Sequence, residues 1–412
     1  MDSNENYGTG RIGEIISSIE SRYEKAITDI LDKDLLSELC NAMQINAGQL
    51  DALIADNSQV MRTVKGHAFE TFFDEVLREA SYSSEVIGGD NEIDRIVNGK
   101  SLQLKTPTES GTKGNLVQFK THKTHGAKSE VESMDYYSTI EHFADYLVGL
   151  VSYDPLNILL LSPEELPRHK KSERHIQSPF TIDWTTSKAL NAFDRIGVDF
   201  TKIKRFGQDG KNELLPRTAA MIGVDSGVIL RTILSNSNFR IWDMSVRGFI
   251  RELIFKESLT ASGVRTLNPI ETKKARADKA DIALDLGGRF LMMQMKGVST
   301  NNCNFNIADP EIATETQLTR GRVNDHPTQS RLYLKTDFDT LIIGLDPPIV
   351  QICRSKLGGS AKLNWEFYAI PVDKLEVHSS MPHRLKSLQK FRYSQLQDYL
   401  VTDWKSFSQE VK

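Results

Sequence analysis

Cysteine is scarce. Cys40, Cys303 and Cys353 are the three in 412 residues. So few, so far apart, cannot build a disulfide framework or a zinc knuckle, and a reducing cytoplasm is the expected setting. No apolar run reaches membrane-spanning length, so no membrane partner is expected. The opening "MDSNENYGTG" is polar and acidic with no apolar segment behind it, which leads us to expect no signal peptide. A phosphate-binding P-loop is missing, which argues against ATP-driven translocation, and no GxSxG elbow appears. Charge of neither sign dominates: 51 Lys and Arg against 55 Asp and Glu give a net charge of −4. Global charge therefore does not advertise nucleic acid, although local patches can still attract it. The hydrophobic fraction, 39%, is enough for a core, and the length suits two domains.

What the chain does contain is itself, twice. "VKGHAFETFFDEVL" from Val64 parallels "VRGFIRELIFKESL" from Val246, and in each a glutamate (Glu70, Glu252) lies four residues after the glycine. Upstream, "NAGQLDALIADNS" from Asn46 parallels "DSGVILRTILSNS" from Asp225. Downstream, "SLQLKTPT" parallels "LMMQMKGVST", "FADYLVGL" parallels "FDTLIIGL", "ILLLSPEELPRH" parallels "FYAIPVDKLEVH", and "WTTSKALNAF" parallels "FRYSQLQDYL". Each match is weak alone, but a shared order with similar gaps makes a tandem duplication. The modules are read as 43–206 and 216–412. Residues 1–42 form a helical N-terminal segment without a counterpart, and 207–215, rich in Gly, Asp and Asn, is the linker.

Within a module the pattern reads helix, helix, strand, strand, a polar stretch, strand, strand, helix: an α/β module with a mixed sheet flanked by helices. "EIDRIV" and "DIALDL" alternate as strands, and the turns "NGK" and "GGR" join each to the next strand as a hairpin. The first hairpin carries Asp94, Gln103 and Lys105, and the second Asp281, Gln294 and Lys296. Residues two apart on a strand share a face, so each amide and its lysine point together out of an otherwise apolar element. A carboxylate and an amide oxygen are hard ligands that suit Mg2+. The lysine beside them can hold or deprotonate a water and offset charge developing on a phosphate. Glu70 or Glu252 is placed to reach the same metal. In the second copy Asp285 is an alternative, because it lies eleven residues before its lysine as Asp94 does; Asp281 fits better the strand start that follows a polar loop.

"EIDRIVNGKSLQLK" and "DIALDLGGRFLMMQMK", each preceded by a Glu-bearing helix, resemble the PD-(D/E)XK nuclease superfamily, which includes most type II restriction endonucleases. The resemblance covers the core of both copies, about a third of the chain. It implies two tandem PD-(D/E)XK-like modules with Mg2+ as cofactor. Glu70, Asp94, Gln103, Lys105, Glu252, Asp281, Gln294 and Lys296 would be catalytic, with Asp94, Gln103, Asp281 and Gln294 on the metal. One departure is that Gln stands in both copies where the superfamily usually has an acid two before the lysine, which leaves the metal one negative charge short.

The resemblance also implies double-stranded DNA as substrate and a cognate DNA methyltransferase in the same system. Polar stretches follow each lysine. The first holds Lys113, Lys120, His122, Lys123 and His125, and the second Gln317, Arg320, Arg322, Asn324, Gln329 and Arg331. Arg, Lys, Asn and Gln read base edges, and Lys and His suit phosphates. "KKSERH" at 170–175 reads as an exposed basic loop. The expectation is a restriction enzyme in which duplication supplies both catalytic sites, as monomer or homodimer. The rivals are a nicking or repair nuclease with one live site and a non-cleaving DNA-binding protein.

Overall fold

A computed structural model of the chain describes residues 29–411 apart from 88–92, 109–112, 122–136, 204–213, 235–245, 275–276, 300–301, 318–331 and 360–363. The helices that matter for the sites are α1 (Asp29–Met43), α2 (Ala47–Asp56), α3 (Ser58–Glu79), α4 (Pro216–Ile222), α5 (Ser226–Leu234) and α6 (Arg247–Ala261). Asn57 opens α3 as its N-cap, accepting from the backbone N–H of Gln59 and Val60. Among the described residues no helix is long and apolar enough to cross a membrane.

Two five-stranded mixed sheets carry the chain. The first is ordered β1 (Ser84–Val86), β2 (Arg95–Val97), β3 (Lys100–Lys105), β5 (Tyr146–Ser152), β6 (Asn157–Leu161). The second is ordered β10 (Thr266–Leu267), β11 (Ile282–Asp285), β12 (Phe290–Lys296), β14 (Thr340–Leu345), β15 (Glu366–Pro371). In each, the third and fourth strands pair parallel and every other neighbour pairs antiparallel. Small pairs flank them: β4 (Leu116–Phe119) with β9 (Phe180–Asp183), β7 (Arg168–His169) with β8 (Ser172–Ile176), β13 (Glu311–Glu315) with β18 (Leu388–Arg392), and β16 (Val377–His378) with β17 (Met381–Leu385). The hairpin turns hold the positive φ expected of them, at Asn98 and Gly99 (49° and 76°) and at Gly287 and Gly288 (82° and 102°). The core against the first sheet includes Phe119, Leu147, Leu159 and Phe180, and that of the second Ile312, Leu341, Ile343 and Tyr368.

Three details differ from the sequence expectation. The edge strands β1 and β10 were not expected, being short and half-exposed, with no alternation to read. The segment "WTTSKALNAF" closes the first module with a 3-10 turn, Phe193–Ile196, and no α-helix. The "FADYLVGL" and "FDTLIIGL" alignment slips by one. Asp145 and Asp339 occupy the same place, each accepting a 2.8 Å bond from a backbone N–H of the neighbouring strand, Ser101 and Met292. Aligning on the glycines hides that equivalence.

The compact units are not cut where the repeats are. One holds Lys33–Leu50 with Asp243–Lys412, and Asp51–Trp242 makes up nearly all of the other. Trp365 of the second sheet's unit donates from Nε1 to the Met43 carbonyl at the end of α1, 2.8 Å, and Gln44 donates to Asn364. In the first sheet's unit Asp51 accepts from the backbone N–H of Arg217 and Thr218 at the start of α4, both at 2.9 Å. Helices that lead into the second repeat thus belong to the body of the first.

Candidate active sites

Asp94 and Asp281 each stand one residue ahead of their strand. Their backbones are registered alike: Asp94 N–H donates to Leu102 O at 2.8 Å, and Asp281 N–H to Met293 O at 2.9 Å. Both carboxylates then accept, through Oδ2, the N–H two residues further along the paired strand, Leu104 (2.7 Å) and Met295 (2.8 Å). Gln103 follows Leu102 and Gln294 follows Met293, so amide and lysine flank that bonded N–H in both sheets. Asp285 lies at the far end of β11, opposite Phe290, where it accepts from Gly287 N–H in the turn and pairs with Arg265. Asp281, and not Asp285, has the placement of Asp94.

In the first site Lys105 Nζ lies 4.0 Å from Asp94 Oδ2. Burial raises the Asp94 carboxyl above the usual carboxylate range; Lys105 opposes this and the Glu70 charge adds to it. Glu70 comes from α3. Burial alone would raise it too, but the bond and charge of His67, with Arg95 and Lys105, hold it low. Arg95 is the organiser that sequence reading missed. Buried on β2, it donates to both Asp74 oxygens (3.0 Å), to the Asp94 carbonyl (2.8 Å) and to Glu70 Oε2 (3.3 Å). Its signal was visible as an arginine inside an otherwise apolar strand, "DRIV".

The second site is charged differently. Glu252 on α6 pairs with Lys256 at 3.7 Å, and burial, then the Asp281 charge, pushes its carboxyl up. Burial pushes the Asp281 carboxyl up as well, against the Met295 N–H bond and the charges of Lys296 and Lys256. Lys296 is held below the usual lysine range by burial, against the pull of Asp281 and Glu315. Its Nζ reaches Gln317 O at 3.4 Å and stands 5.2 Å from the centre of the Tyr333 ring. Arg251 lies against Gly297 and Gly344, where a Cβ would fall 2.3 Å and 2.5 Å from it. Only glycine allows that approach. Phe69 holds Arg251's place in the first repeat, three residues after Gly66 as Arg251 is after Gly248.

Whether these groups suit Mg2+ is tested by the donors themselves. Gln103 Oε1 is buried with no hydrogen-bond partner, and Asp94 is the residue across the hairpin from it. A buried amide oxygen left unpaired is costly unless a cation or a donor meets it. In the second site the amide is turned the other way, with Gln294 Nε2 donating to Asp281 Oδ2 at 2.5 Å. Among the described residues no group of three or more His, Cys, Asp and Glu is disposed to hold a metal. That is compatible with Mg2+, which usually takes one or two carboxylates and fills the rest with water and substrate phosphate. The donors fit. Asp94 and Gln103 would hold the ion in the first site, with Glu70 behind; in the second Asp281 would, with Glu252 behind, and Gln294 would join it once its amide turned its oxygen inward.

Of the residues expected at DNA, Lys113 and Lys120 are exposed at either end of β4. Gln317 Nε2 donates to Glu315 Oε2 at 3.1 Å. His122, Lys123, His125, Arg320, Arg322, Asn324, Gln329 and Arg331 lie outside the described residues. "KKSERH" forms the β7–β8 hairpin, with Lys170, Lys171 and Arg174 exposed.

No protein family profile matches the chain, and no curated protein matches it. Among solved structures, a bacterial homing endonuclease, I-Ssp6803I, aligns over 41% of this chain and 93% of its own, with 15% identity and a TM-score of 0.24. Likeness at that level carries no argument about fold or function.

Proposed function

We propose that the chain is a Mg2+-dependent, sequence-specific endonuclease of double-stranded DNA, a type II restriction enzyme in which the two repeats supply the two catalytic sites. One observation carries the reading. The same Asp, Gln and Lys recur at the same positions of two sheets with the same strand order, each with a glutamate on a preceding helix. A bound Mg2+ would polarise the scissile phosphate and lower the pKa of a water. The chain's own part is to hold Lys105 or Lys296 beside that phosphate, where an amine can take a proton from the water or offset the charge of the transition state. Lys296, kept low by burial, suits the proton-taking role. Copies this far diverged suit an asymmetric target better than a strict palindrome. A neighbouring methyltransferase gene would accompany such an enzyme.

Supercoiled plasmid incubated with Mg2+, and in parallel with EDTA, tests the reading. Linear DNA and discrete fragments are expected with Mg2+, and no cutting with EDTA. A mobility shift without cutting would leave a DNA-binding protein. Open circles alone would leave a nickase, the second reading, which the unlike charges around the two sites favour. The glutamine gives a further prediction. Gln103→Glu adds the acid that the metal position is short of, and should lower the Mg2+ concentration for half-maximal cutting by about tenfold, the equivalent of ~1.4 kcal/mol. A titration that leaves the midpoint unmoved would place Gln103 away from the metal.

A further inference from the structure

We infer that Arg231 and Thr232, which belong by sequence to the second repeat, are positioning residues of the first site. The inference rests on that site's being a nuclease site. Helix α3 has two working stripes. Glu70 and Asp74, four apart, face the hairpin, where Asp74 receives Arg95 and the Ser84 hydroxyl (2.6 Å). Thr71 and Glu75, one residue on and again four apart, face α5. There the Arg231 guanidinium is bonded to both Glu75 oxygens, from Nε at 2.8 Å and from Nη2 at 3.2 Å. The hydroxyls of Thr232 and Thr71 are hydrogen-bonded at 2.9 Å, and both residues are buried.

A two-point guanidinium–carboxylate contact fixes orientation as well as distance. A fully buried hydroxyl bond one turn away removes the remaining freedom to roll. Together they set the rotation of α3 about its own axis. Because Glu70 directly precedes Thr71, that rotation decides whether its carboxylate meets Asp94 and Arg95. Nothing in Arg231 or Thr232 touches the reacting groups, so they act through α3. The first repeat taken alone, 43–206, does not contain them. The second repeat cannot be treated as a spare copy, because it completes the first.

The test uses the full chain on supercoiled plasmid, with nicks mapped strand by strand. Arg231→Ala should slow cutting of the strand that Lys105→Ala also loses, by about ten- to a hundredfold, the cost of a displacement near 1 Å. The other strand should be cut at the wild-type rate. The Mg2+ requirement of the slowed strand should rise, which a general loss of folded protein would not cause. The charge-swapped pair Arg231→Glu with Glu75→Arg should recover much of the loss. If Arg231→Ala does not fold, Arg231→Lys and Thr232→Val stand in for it, each with a several-fold loss confined to the same strand. Equal cutting of both strands by these variants, or a loss on the strand that Lys296→Ala loses, overturns the inference while the nuclease reading stands. A wild-type chain that cuts nothing under any metal takes the nuclease reading down, and this inference with it.

Discussion

Lys105→Ala and Lys296→Ala should each convert supercoiled plasmid to open circle and stop there, and the two should break opposite strands. Each lysine stands beside its own aspartate, Lys105 at 4.0 Å from Asp94 and Lys296 within the field of Asp281. Removing one preorganised charge from a site that stabilises developing negative charge costs roughly 10²–10³-fold. Cutting of one strand should slow by that factor while the other proceeds. Primer extension on both strands of the nicked product identifies which was broken. A variant that still linearises plasmid, paired with one that is inert on both strands, would leave a single catalytic repeat.

Asp94→Asn should lose cutting by the first site and yet melt higher than the wild type in the absence of metal. The sign follows from the raised carboxyl. A group whose folded value lies above its unfolded one contributes stability below the unfolded value, and that contribution is lost as pH rises through the folded value. At neutral pH the wild type has lost it, whereas asparagine, uncharged throughout, keeps it. Asparagine can also still accept the Leu104 N–H, which alanine would leave unpaired. Relief at a site of this kind is commonly about 0.5–2 kcal/mol, or ~2–4 °C per kcal/mol for a unit of this size. The gap should close as pH falls into the ordinary carboxylate range. Saturating Mg2+ should reverse the order, because the first site binds it only in the wild type, where a hundredfold excess over Kd adds about 2.7 kcal/mol beyond any gain from the second site. A melting scan at several pH values with and without Mg2+ decides it; an Asn variant less stable than wild type at neutral pH would contradict the raised carboxyl.

The duplication, both hairpins and their turns were legible because each leaves a local signature. Those signatures are an Asn-Gly or Gly-Gly turn, an apolar run ending in lysine, and a glutamate four residues after a glycine. The placement of Asp281 was half legible. Spacing to the lysine favoured Asp285, and only the backbone bond of Asp281 to Met293 settles which carboxylate stands where Asp94 does. The second hairpin has a longer second strand and a different turn, so equal spacing in sequence is not equal register. Arg95 with Asp74, and Arg251, were not legible, since each takes its meaning from a partner remote in the sequence. The packing of α5 was not legible either. Its sequence announces an amphipathic helix, and nothing in that pattern says which repeat it will cover.

The Arg231–Glu75 bond also sets an order in time. The two residues are 156 apart in the chain. At synthesis rates of roughly 5–20 residues per second, about 8–30 s pass between them. For most of that interval the nascent chain carries Glu70, Asp94, Gln103 and Lys105 without the helix that aligns the first of them. A first repeat released early, by a broken message or a stalled ribosome, would therefore lack the helix that aligns its proposed site. On the proposed reading, such a chain would stay inert until the helix bearing Arg231, a little past the middle of the sequence, has been made.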